Sequence, residues 1–325
     1  MDGNNQEHTI YLRVAGVGTF TLERSPDMKW NRREFIVTST FGVVGSALHR
    51  APLLAQPPAT PEFTAVRGNV GIFTARGGTM GWLINSDAVV VVDSQFADTA
   101  RMFLDGLGER TSRRIDVLVN THHHGDHTAG NQTLRPSVEK IVAHANVPGL
   151  QRRQAEARDT EAAQAYADET FDENWSLDAG GERVSARNYG PAHTGGDGVI
   201  FFEDANVVHM GDLMFNHRHP FVDRPGGASI RNWITTLEQV VADHDSDTTY
   251  VFGHAGPGWP ITGPRSVLLG MRDYFAALLE YVEQGIAAGR SAEEIAQVGQ
   301  LPGFAEYSGQ PARTIGTAYE EVTAG

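Results

Sequence analysis

The central part of the chain alternates short apolar runs with turn-forming clusters, which is the pattern of a strand-rich protein. From about Phe63, apolar segments predict strands that are separated by the glycine turn Gly77–Gly78. The run IDVLVN is continuously apolar, as expected of a strand that is buried on both faces. Strands are predicted in the segments NVGIFTA, MGWLINSDAVVVVDS, IDVLVN, GVIFFED, ANVVHMGD and TTYVFGH.

Apolar residues recur at helical spacing in fewer segments. ADTARMFLDGL places Met102, Phe103 and Leu107 on one side of a helix. SIRNWITTLEQVVADH predicts a helix between two strands, and residues 144–170 predict another because they are rich in Ala, Gln and Glu.

One arrangement occurs twice along the chain, once before residue 131 and again before residue 254. Each time, a group of strands and a helix ends in a cluster of polar residues. This repetition predicts two sheets packed together with helices outside, and a site at one edge where strand ends meet. The tail, residues 263–325, is predicted to be a helical extension packed on this body, with a capping box at Ser291–Glu294. Its candidate core residues are Leu268, Leu269, Phe275, Leu278, Leu279 and Val282.

Residues 28–55 have the three parts of an export signal. Arg32 and Arg33 supply positive charge, Phe35–Leu48 is moderately apolar, and small residues then allow cleavage near Ala55. The paired arginines resemble those of a twin-arginine signal, which exports folded proteins. We therefore predict a signal peptide and a periplasmic location.

An amphipathic surface helix with two chance arginines is the alternative interpretation. The Pro-rich residues 56–64 favour export, because a linker follows the apolar run where a mature chain would begin. A signal that starts at Met28 has normal proportions, so we interpret residues 1–27 as an extension that does not belong to the native protein.

The amino-acid composition disfavours several classes of function. The chain has 325 residues and a formal net charge of −14, which disfavours a nucleic-acid partner because phosphate binding needs basic surface. No stretch of about 20 apolar residues occurs, so no permanent membrane span is expected. Cysteine is absent, so any metal must be held by His, Asp or Glu. The sequence leaves the oligomeric state open.

The segment THHHGDHTAGN follows the predicted strand IDVLVN directly. His122 and His124 are two residues apart, so in extended backbone both rings point the same way and can reach one ion. Asp126 and His127 follow once Gly125 has allowed a turn, and they can present a carboxylate and a ring to a second ion. These ligands suit zinc, although iron or manganese also accept them.

Three further ligand types lie at the ends of later predicted strands: His193, Asp212 and His254. Loops after buried strands are where a scaffold usually places functional groups. One such histidine alone would be interpreted as a solvated loop residue. Chance is a poor explanation of the whole set, because several strands would each have to end in a ligand type by accident.

The motif His122-x-His124-x-Asp126-His127 and the three later ligands resemble the metallo-β-lactamase superfamily over about residues 65–262. The resemblance implies an α+β fold, an αββα sandwich of two mixed β-sheets with outer helices, with a site for two Zn²⁺ ions in the groove between the sheets. It implies a first metal on His122, His124 and His193. It implies a second metal on Asp126, His127 and His254, with Asp212 bridging both.

The chemistry that this resemblance implies is hydrolysis. Two cations lower the pKa of a shared water, so that hydroxide exists near neutral pH and attacks a carbonyl or phosphoryl centre. Asp126 would orient this nucleophile and could carry its proton, which makes it the candidate catalytic residue. Asp93 resembles the family's aspartate beneath the metal site and could fix a ligand ring, the alternative being a strand-end turn residue. Asp197 and Thr194 could support His193 in the same way.

The remaining histidines of interest receive structural interpretations. His123 lies between two ligands and should point away from the metals. His209 sits in an apolar run and is expected to be a core histidine with satisfied hydrogen bonds. His144 either lines the pocket or packs at a strand end.

The loop MFNHRHPFVDRPGGAS, residues 214–229, is predicted to help form the substrate pocket, with Asn216 or His219 near the metals. A surface loop is the alternative. The hairpin Arg76–Met80 could form a flap over the groove. A cationic loop residue would suit a carboxylate-bearing substrate, such as an opened lactone or lactam.

We therefore expect a dinuclear zinc-dependent hydrolase of a small-molecule acyl substrate, such as a lactone, a lactam or a related ester or thioester. True β-lactamases of this superfamily lack an aspartate at the position matched by Asp212, which favours the wider hydrolase group. An iron-dependent sulfur or redox enzyme of the same fold and a non-catalytic metal-binding scaffold are the alternatives. The presence of all seven ligand types disfavours both.

Overall fold

The computed structural model describes residues 10–14, 18–22 and 60–324. Strands β1 (Ile10–Val14) and β2 (Gly18–Leu22) pair antiparallel within a compact unit that comprises Met1–Pro57. The predicted signal peptide over residues 28–55 lies outside the described residues. Pro58–Gly325 form a second unit, to which all the features below belong.

The first sheet of this second unit has seven strands, which neighbour one another in chain order. They are β3 (Glu62–Arg67), β4 (Val70–Thr74), β5 (Met80–Ile84), β6 (Val89–Val92), β7 (Ile115–Asn120), β8 (Val138–His144) and β9 (Glu169–Phe171). The pairs from β3 to β6 are antiparallel and those from β6 to β9 are parallel, so the sheet is mixed. β3 begins at Glu62, inside the segment 56–64 that was predicted to be a linker, so its last three residues belong to the sheet.

The second sheet has six strands in the order β10-β11-β12-β13-β15-β17. They are β10 (Asn174–Asp178), β11 (Arg183–Arg187), β12 (Val199–Phe202), β13 (Val207–His209), β15 (Thr249–Val251) and β17 (Thr262–Gly263). Only β13 and β15 pair parallel within it. β14 (Phe215–Asn216) and β16 (His254–Ala255) form a separate parallel pair, which ties together the loops that follow β13 and β15.

Eight α-helices accompany these strands in the described residues of the second unit. They are α1 (Ala97–Gly108), α2 (Gly125–Thr128), α3 (Asn131–Leu134), α4 (Val147–Glu156), α5 (Ile230–Asp243), α6 (Arg265–Ala287), α7 (Ala292–Ala296) and α8 (Ala312–Ala324). The predicted capping box is confirmed, because Ser291 and Glu294 exchange hydrogen bonds at the start of α7. The predicted helix over residues 144–170 is too long: α4 ends at Glu156, and Asp159 has a left-handed φ of 53° that a helix cannot contain.

Alternation along β6 shows how the layers form. Val90 and Val92 pack between the two sheets, in the same core as Ile200 of the second sheet. Val89 and Val91 point the other way, into a core that α1 covers. A third core lies between the second sheet and the helices α5 and α6. The architecture is therefore the predicted αββα sandwich of two mixed sheets with outer helices.

The C-terminal helices pack on the second sheet. Leu268, Phe275 and Leu278 of α6 are buried in the same core as Trp233 of α5. Leu269, also expected in the core, is only half-buried. None of the helices within the described ranges has the length and apolar character that crossing a membrane would require.

Candidate metal centre

The loops that follow β7, β11, β13 and β15 carry the predicted ligands, and the fold brings these loops together. Seven side chains from them form two groups whose ligand atoms lie within 4.8 Å of one another. The first cluster consists of His122, His124, His193 and Asp212, and the second cluster consists of Asp126, His127, Asp212 and His254.

Three ring nitrogens converge in the first cluster. Nε2 of His122 lies 3.1 Å from Nδ1 of His124, and Nε2 of His193 lies 3.0 Å from the same atom. Oδ2 of Asp212 lies 3.6 Å from Nε2 of His193 and 3.9 Å from Nε2 of His122. All four side chains are buried. Three imidazoles and one carboxylate around one point form a ligand set for a single cation.

Two rings and two carboxylates converge in the second cluster. Oδ1 of Asp212 lies 2.9 Å from Nε2 of His127 and 3.3 Å from Nε2 of His254. Oδ2 of Asp126 lies 3.2 Å from Nε2 of His254 and 3.9 Å from Nε2 of His127. The two oxygens of Asp212 therefore face different clusters. Gly253 makes room for this carboxylate, because a Cβ there would lie 2.2 Å from Oδ1.

The second cluster contains buried polar atoms that lack hydrogen bonds. Nε2 of His127 and Oδ1 of Asp212 lie 2.9 Å apart but are not aligned as a hydrogen bond, and neither has another hydrogen-bond partner within the part of the chain that the structure describes. A buried polar atom left unpaired costs about 1–3 kcal/mol. A divalent cation would satisfy both atoms, so the residues fit a metal ion.

Two histidines of the first cluster, His122 and His193, are held neutral. Burial, together with the charge of His127, holds the pKa of His122 well below its ordinary value. Burial also lowers the pKa of His193 to about 3. Both rings therefore present a lone pair near pH 7, which is the form that binds metals.

The second cluster is charged. Burial opposes a proton on His127, but the carboxylates of Asp212, Asp93 and Asp126 raise its pKa well above the ordinary value. Asp212 and Asp126 raise the pKa of His254 against the same opposition. Burial opposes ionisation of Asp126, but His127 and His254 lower its pKa to about 2. A cation must therefore displace a proton from His127, so that metal binding releases protons.

Asp93 lies against the ring of His127, one of the predicted ligands. Its Oδ2 accepts a hydrogen bond from Nδ1 of His127 at 2.7 Å. It also accepts hydrogen bonds from the backbone N–H and the hydroxyl of Thr121, at 2.8 and 2.7 Å. Both carboxylate oxygens of this fully buried residue are thus used.

The rings of the first cluster have partners that sequence reasoning missed. Nδ1 of His122 lies 3.0 Å from the Thr121 hydroxyl. Nδ1 of His193 donates to the carbonyl oxygen of Phe221 at 2.8 Å. Nε2 of His124 donates to Oδ2 of Asp223 at 3.0 Å. Of these partners only Asp223 carries a sequence signal, as an acidic residue in the loop after Asp212.

Asp197 supports the backbone near His193 and not its ring. Its carboxylate accepts hydrogen bonds from the backbone N–H of Thr194 at 2.8 Å and from the Thr194 hydroxyl at 2.6 Å. Burial raises the pKa of Asp197 to about 7.

The prediction that Asn216 or His219 lies near the metals is wrong. Nδ2 of Asn216 donates to the carbonyl oxygen of Pro260 at 2.7 Å. Nδ1 of His219 lies 2.8 Å from the hydroxyl of Tyr274 in α6, and its Nε2 lies 3.3 Å from Oε1 of Gln300. Pro260 holds Asn216 and the C-terminal extension holds His219, so neither side chain belongs to a cluster.

The other histidines lie outside the two clusters. Nε2 of His123 points instead to Oδ2 of Asp223, 3.3 Å away. His209 is buried, with Nε2 donating to the carbonyl oxygen of Thr79 at 3.1 Å and Nδ1 accepting from the N–H of Gly211 at 3.2 Å. His209 is thus the satisfied core histidine that was expected.

His144 packs at its strand end and does not join either cluster. Its Nδ1 accepts from the N–H of Asn146 at 3.2 Å, and its ring lies edge-on to Phe171.

A cavity of about 290 Å³ adjoins the second cluster. It is lined by parts of residues 74–79 and 253–261, including His254 and Trp259, and by Arg218. Trp259 is 42% exposed and stacks on the ring of His217. Arg218 is exposed and forms no ion pair with another described residue. A larger cavity of about 830 Å³ lies along β10 to β13 and contains none of the seven predicted ligands.

Comparisons with known proteins place these features in a family. The chain matches the sequence profile of the metallo-beta-lactamase superfamily over residues 74–254. It is 28% identical over 135 residues to a hydroxyacylglutathione hydrolase of Methylococcus capsulatus, covering 40% of this chain and 44% of that protein. It is 26% identical over 164 residues to the alpha subunit of a 2,4-dinitroanisole O-demethylase of Nocardioides sp., covering 49% of this chain and 48% of that protein.

The chain thus spans less than half the length of these curated relatives. Among solved structures, a metallo-beta-lactamase from Pontibacter korlensis aligns with a TM-score of 0.55 at 17% identity. That alignment covers 67% of this chain and 99% of the other.

Proposed function

This chain belongs to the metallo-beta-lactamase superfamily, and from that premise we propose that it is a dinuclear zinc-dependent hydrolase of a small acyl substrate. The membership and the hydrolase relative indicate an enzyme of the metallo-hydrolase type. The observation that carries the finer proposal is the position of Asp212, whose two oxygens face two separate groups of histidine and carboxylate ligands.

His122, His124 and His193 would hold the first ion, and Asp126, His127 and His254 the second, with Asp212 shared by both. When bound, two divalent cations lower the pKa of water and polarise the attacked carbonyl oxygen. The imidazole and carboxylate set favours zinc, and iron or manganese also accept it.

Asp126 is the ligand best placed to handle a proton. Its side chain is 31% exposed, whereas that of Asp212 is 5% exposed. A hydrogen bond from His254 and the charge of His127 keep it ionised. We assign Asp126 the role of orienting the attacking water and accepting its proton during the attack.

The cavity beside the second cluster suits a small substrate. Its volume of about 290 Å³ lies at the lower end of the range of ligand sites. The exposed guanidinium of Arg218 can pair with a carboxylate, and the exposed ring of Trp259 offers an apolar wall. These features support a lactone, a lactam or a related ester or thioester that carries an anionic group.

An assay panel tests this proposal. Zinc-loaded protein is incubated with lactones, β-lactams, thioesters and phosphodiesters, and the metal content is measured on the same sample. We expect metal-dependent turnover of an acyl substrate, and a loss of about 10²–10⁴-fold in Asp126→Asn. Asp98→Asn, which changes an exposed carboxylate paired with Arg76, should keep full activity.

Two results would contradict the proposal. Absence of turnover in protein that holds two zinc ions would favour a metal-binding scaffold. One iron per chain in the purified protein would favour a redox enzyme.

We also propose that the protein is exported to the periplasm. The support is the arrangement of Arg32, Arg33 and the apolar run that follows them, with cleavage near Ala55. N-terminal sequencing of the protein from the periplasmic fraction would test this, and an intact Met1 on cytoplasmic protein would contradict it.

A further inference from the structure

Asp223 lies where the loop of residues 214–229 meets the first cluster. Its Oδ2 accepts the hydrogen bond from Nε2 of His124 at 3.0 Å. Its Oδ1 accepts from the backbone N–H of Gly226 at 3.1 Å, which closes a tight turn over residues 224–226. The carboxylate is only 13% exposed. The Asp223 side chain thus hydrogen-bonds both to the backbone of the loop and to the ring of His124, a candidate ligand.

The contact decides which nitrogen of His124 carries a proton. An ionised carboxylate only accepts hydrogen bonds, so Nε2 of His124 must carry the hydrogen that Asp223 receives. A neutral imidazole protonated at Nε2 keeps its lone pair on Nδ1. Nδ1 is the atom that lies within 3.1 Å of the ring nitrogens of His122 and His193. The lone pair of His124 is therefore aimed into the first cluster.

The same turn also holds His193. The backbone N–H of Asp223 donates to the carbonyl oxygen of His193 at 3.2 Å. The carbonyl oxygen of Phe221 receives the Nδ1 hydrogen of His193 at 2.8 Å. Gly195 donates its N–H to the carbonyl oxygen of Gly226 at 2.8 Å. Two histidines from loops far apart in sequence are thus fixed by one short segment.

We propose that Asp223 is a positioning residue for the first cluster, setting the tautomer and ring orientation of His124. The inference rests on the proposed function, because it takes His124 to be a metal ligand. Hydrogen-bond partners of this kind around a metal-binding histidine typically contribute 10–100-fold to metal affinity.

A third metal site is the competing interpretation of the same contacts. His123, His124 and Asp223 form a third group with ligand spacing. A cation there would need a lone pair on Nε2 of His124, whereas the first cluster needs one on Nδ1. A neutral imidazole has a single lone pair, so the two uses exclude each other. The position of Nδ1 in the first cluster favours positioning by Asp223.

Glu321 of α8 provides a matched control, because it anchors the same loop without contacting a histidine of either cluster. Its carboxylate accepts from the backbone N–H groups of Ile230 at 2.8 Å and Arg231 at 3.0 Å. It also accepts from Arg224 at 3.2 Å. Glu321→Gln should lower stability through these contacts and leave the ring of His124 in place.

Two measurements on the full chain test the inference. The first is the tautomer of His124 in metal-free wild-type protein, from two-dimensional ¹H–¹⁵N spectra of the imidazole nitrogens, with the signal assigned through correlations to the His124 backbone within the wild-type spectra. We expect a hydrogen on Nε2. A hydrogen on Nδ1 overturns the inference, and because this readout uses wild-type protein it holds even if the variant fails to fold.

The second measurement is zinc affinity by competition with a chromophoric chelator. We expect one of two zinc equivalents to bind about 10–100-fold more weakly in Asp223→Asn, with both affinities unchanged in Glu321→Gln. Three results would overturn the inference. Asp223→Asn binds zinc as tightly as the wild type, both variants lose zinc affinity equally, or the wild type binds a third zinc equivalent. Wild-type protein that binds no zinc contradicts the proposed function instead.

Discussion

Gly78 packs so closely on His127 that a Cβ atom on the glycine would lie 2.1 Å from Cε1 of the ring. The backbone N–H of Gly78 donates to the carbonyl oxygen of Asp126 at 3.0 Å, and its own carbonyl oxygen accepts from Gln95 at 2.6 Å. The hairpin that the sequence suggested as a flap is therefore one wall of the second cluster.

Gly78→Ala should displace the ring of His127 and weaken the second metal site. Overpacking of this kind costs about 1–3 kcal/mol of unfolding free energy. We expect the variant to bind a second zinc at least about tenfold more weakly and to lose turnover in proportion. Gly108→Ala is the control, because a Cβ at that position meets nothing within 4 Å. A Gly78→Ala protein with two tightly bound zinc ions would contradict this account of the wall.

Asp93→Asn should impair the same site through the Nδ1 edge of the His127 ring. Asparagine tolerates the left-handed backbone of this position, where φ is 62°. The amide nitrogen of asparagine cannot accept the hydrogen bonds that the carboxylate accepts from His127 and Thr121. We expect a loss of about 10–100-fold in the affinity for one zinc equivalent, measured by chelator competition. Asp98→Asn should bind zinc as the wild type does, and equal behaviour of the two variants would exclude a role for Asp93.

The stability of the fold should depend on pH through His209. Burial lowers the pKa of His209 to about 4, whereas an unfolded histidine titrates near about 6.5. The unfolded chain therefore binds this proton more readily, so the neutral ring stabilises the fold above about pH 6.5. That contribution, about 3 kcal/mol, is lost as the pH falls from about 6.5 to about 4.

His209→Asn removes this titration and keeps a donor and an acceptor in place. Urea unfolding of metal-free wild type and variant at several pH values between about 4 and 7 measures the difference between them. We expect the variant to be less stable near neutral pH and its stability to fall less steeply with acid. Parallel curves would show that His209 does not titrate as its burial indicates.

Arg218→Gln should weaken the binding of anionic substrates only. An exposed ion pair contributes up to about 1 kcal/mol, so KM for a substrate with a carboxylate should rise about threefold to fivefold with kcat unchanged. KM for the methyl ester of the same substrate should stay constant. Arg231→Gln, which removes an exposed pair with Glu283, is the control. An equal rise in KM for acid and ester would exclude a carboxylate contact at Arg218.

The strands and the ligand motif were predictable because they follow local rules. Val89–Val92 alternate between two cores, so the run had to be apolar throughout, and that pattern identifies a buried strand. His122 and His124 share a direction because they are two residues apart after such a strand. The seven ligand types were predicted from the motif and from their places at strand ends, and the family resemblance implied their division between two metals; the fold places them in two adjoining clusters.

The partners of the rings could not be predicted, because they depend on the path of distant loops. Asp223 is 99 residues from His124 in sequence, and the contribution of Phe221 is a carbonyl group that every residue possesses. The errors at Asn216 and His219 have the same origin. Both side chains were judged by their distance from Asp212 along the chain, whereas contacts with distant residues decide where they point, Pro260 for Asn216 and Tyr274 for His219.

The loop of residues 214–229 is held by hydrogen bonds on two sides. Asp223 connects it to the first cluster, and the C-terminal extension packs on its other side. Ser308 donates its N–H to the carbonyl oxygen of His217 at 2.9 Å, and Thr314 donates to the carbonyl oxygen of Pro220 at 2.8 Å. Such a loop has little freedom to accept insertions or altered side chains without disturbing the ligand rings. Evolution toward new substrates, natural or in the laboratory, therefore has more room around Trp259, whose side chain is exposed at the edge of the cavity.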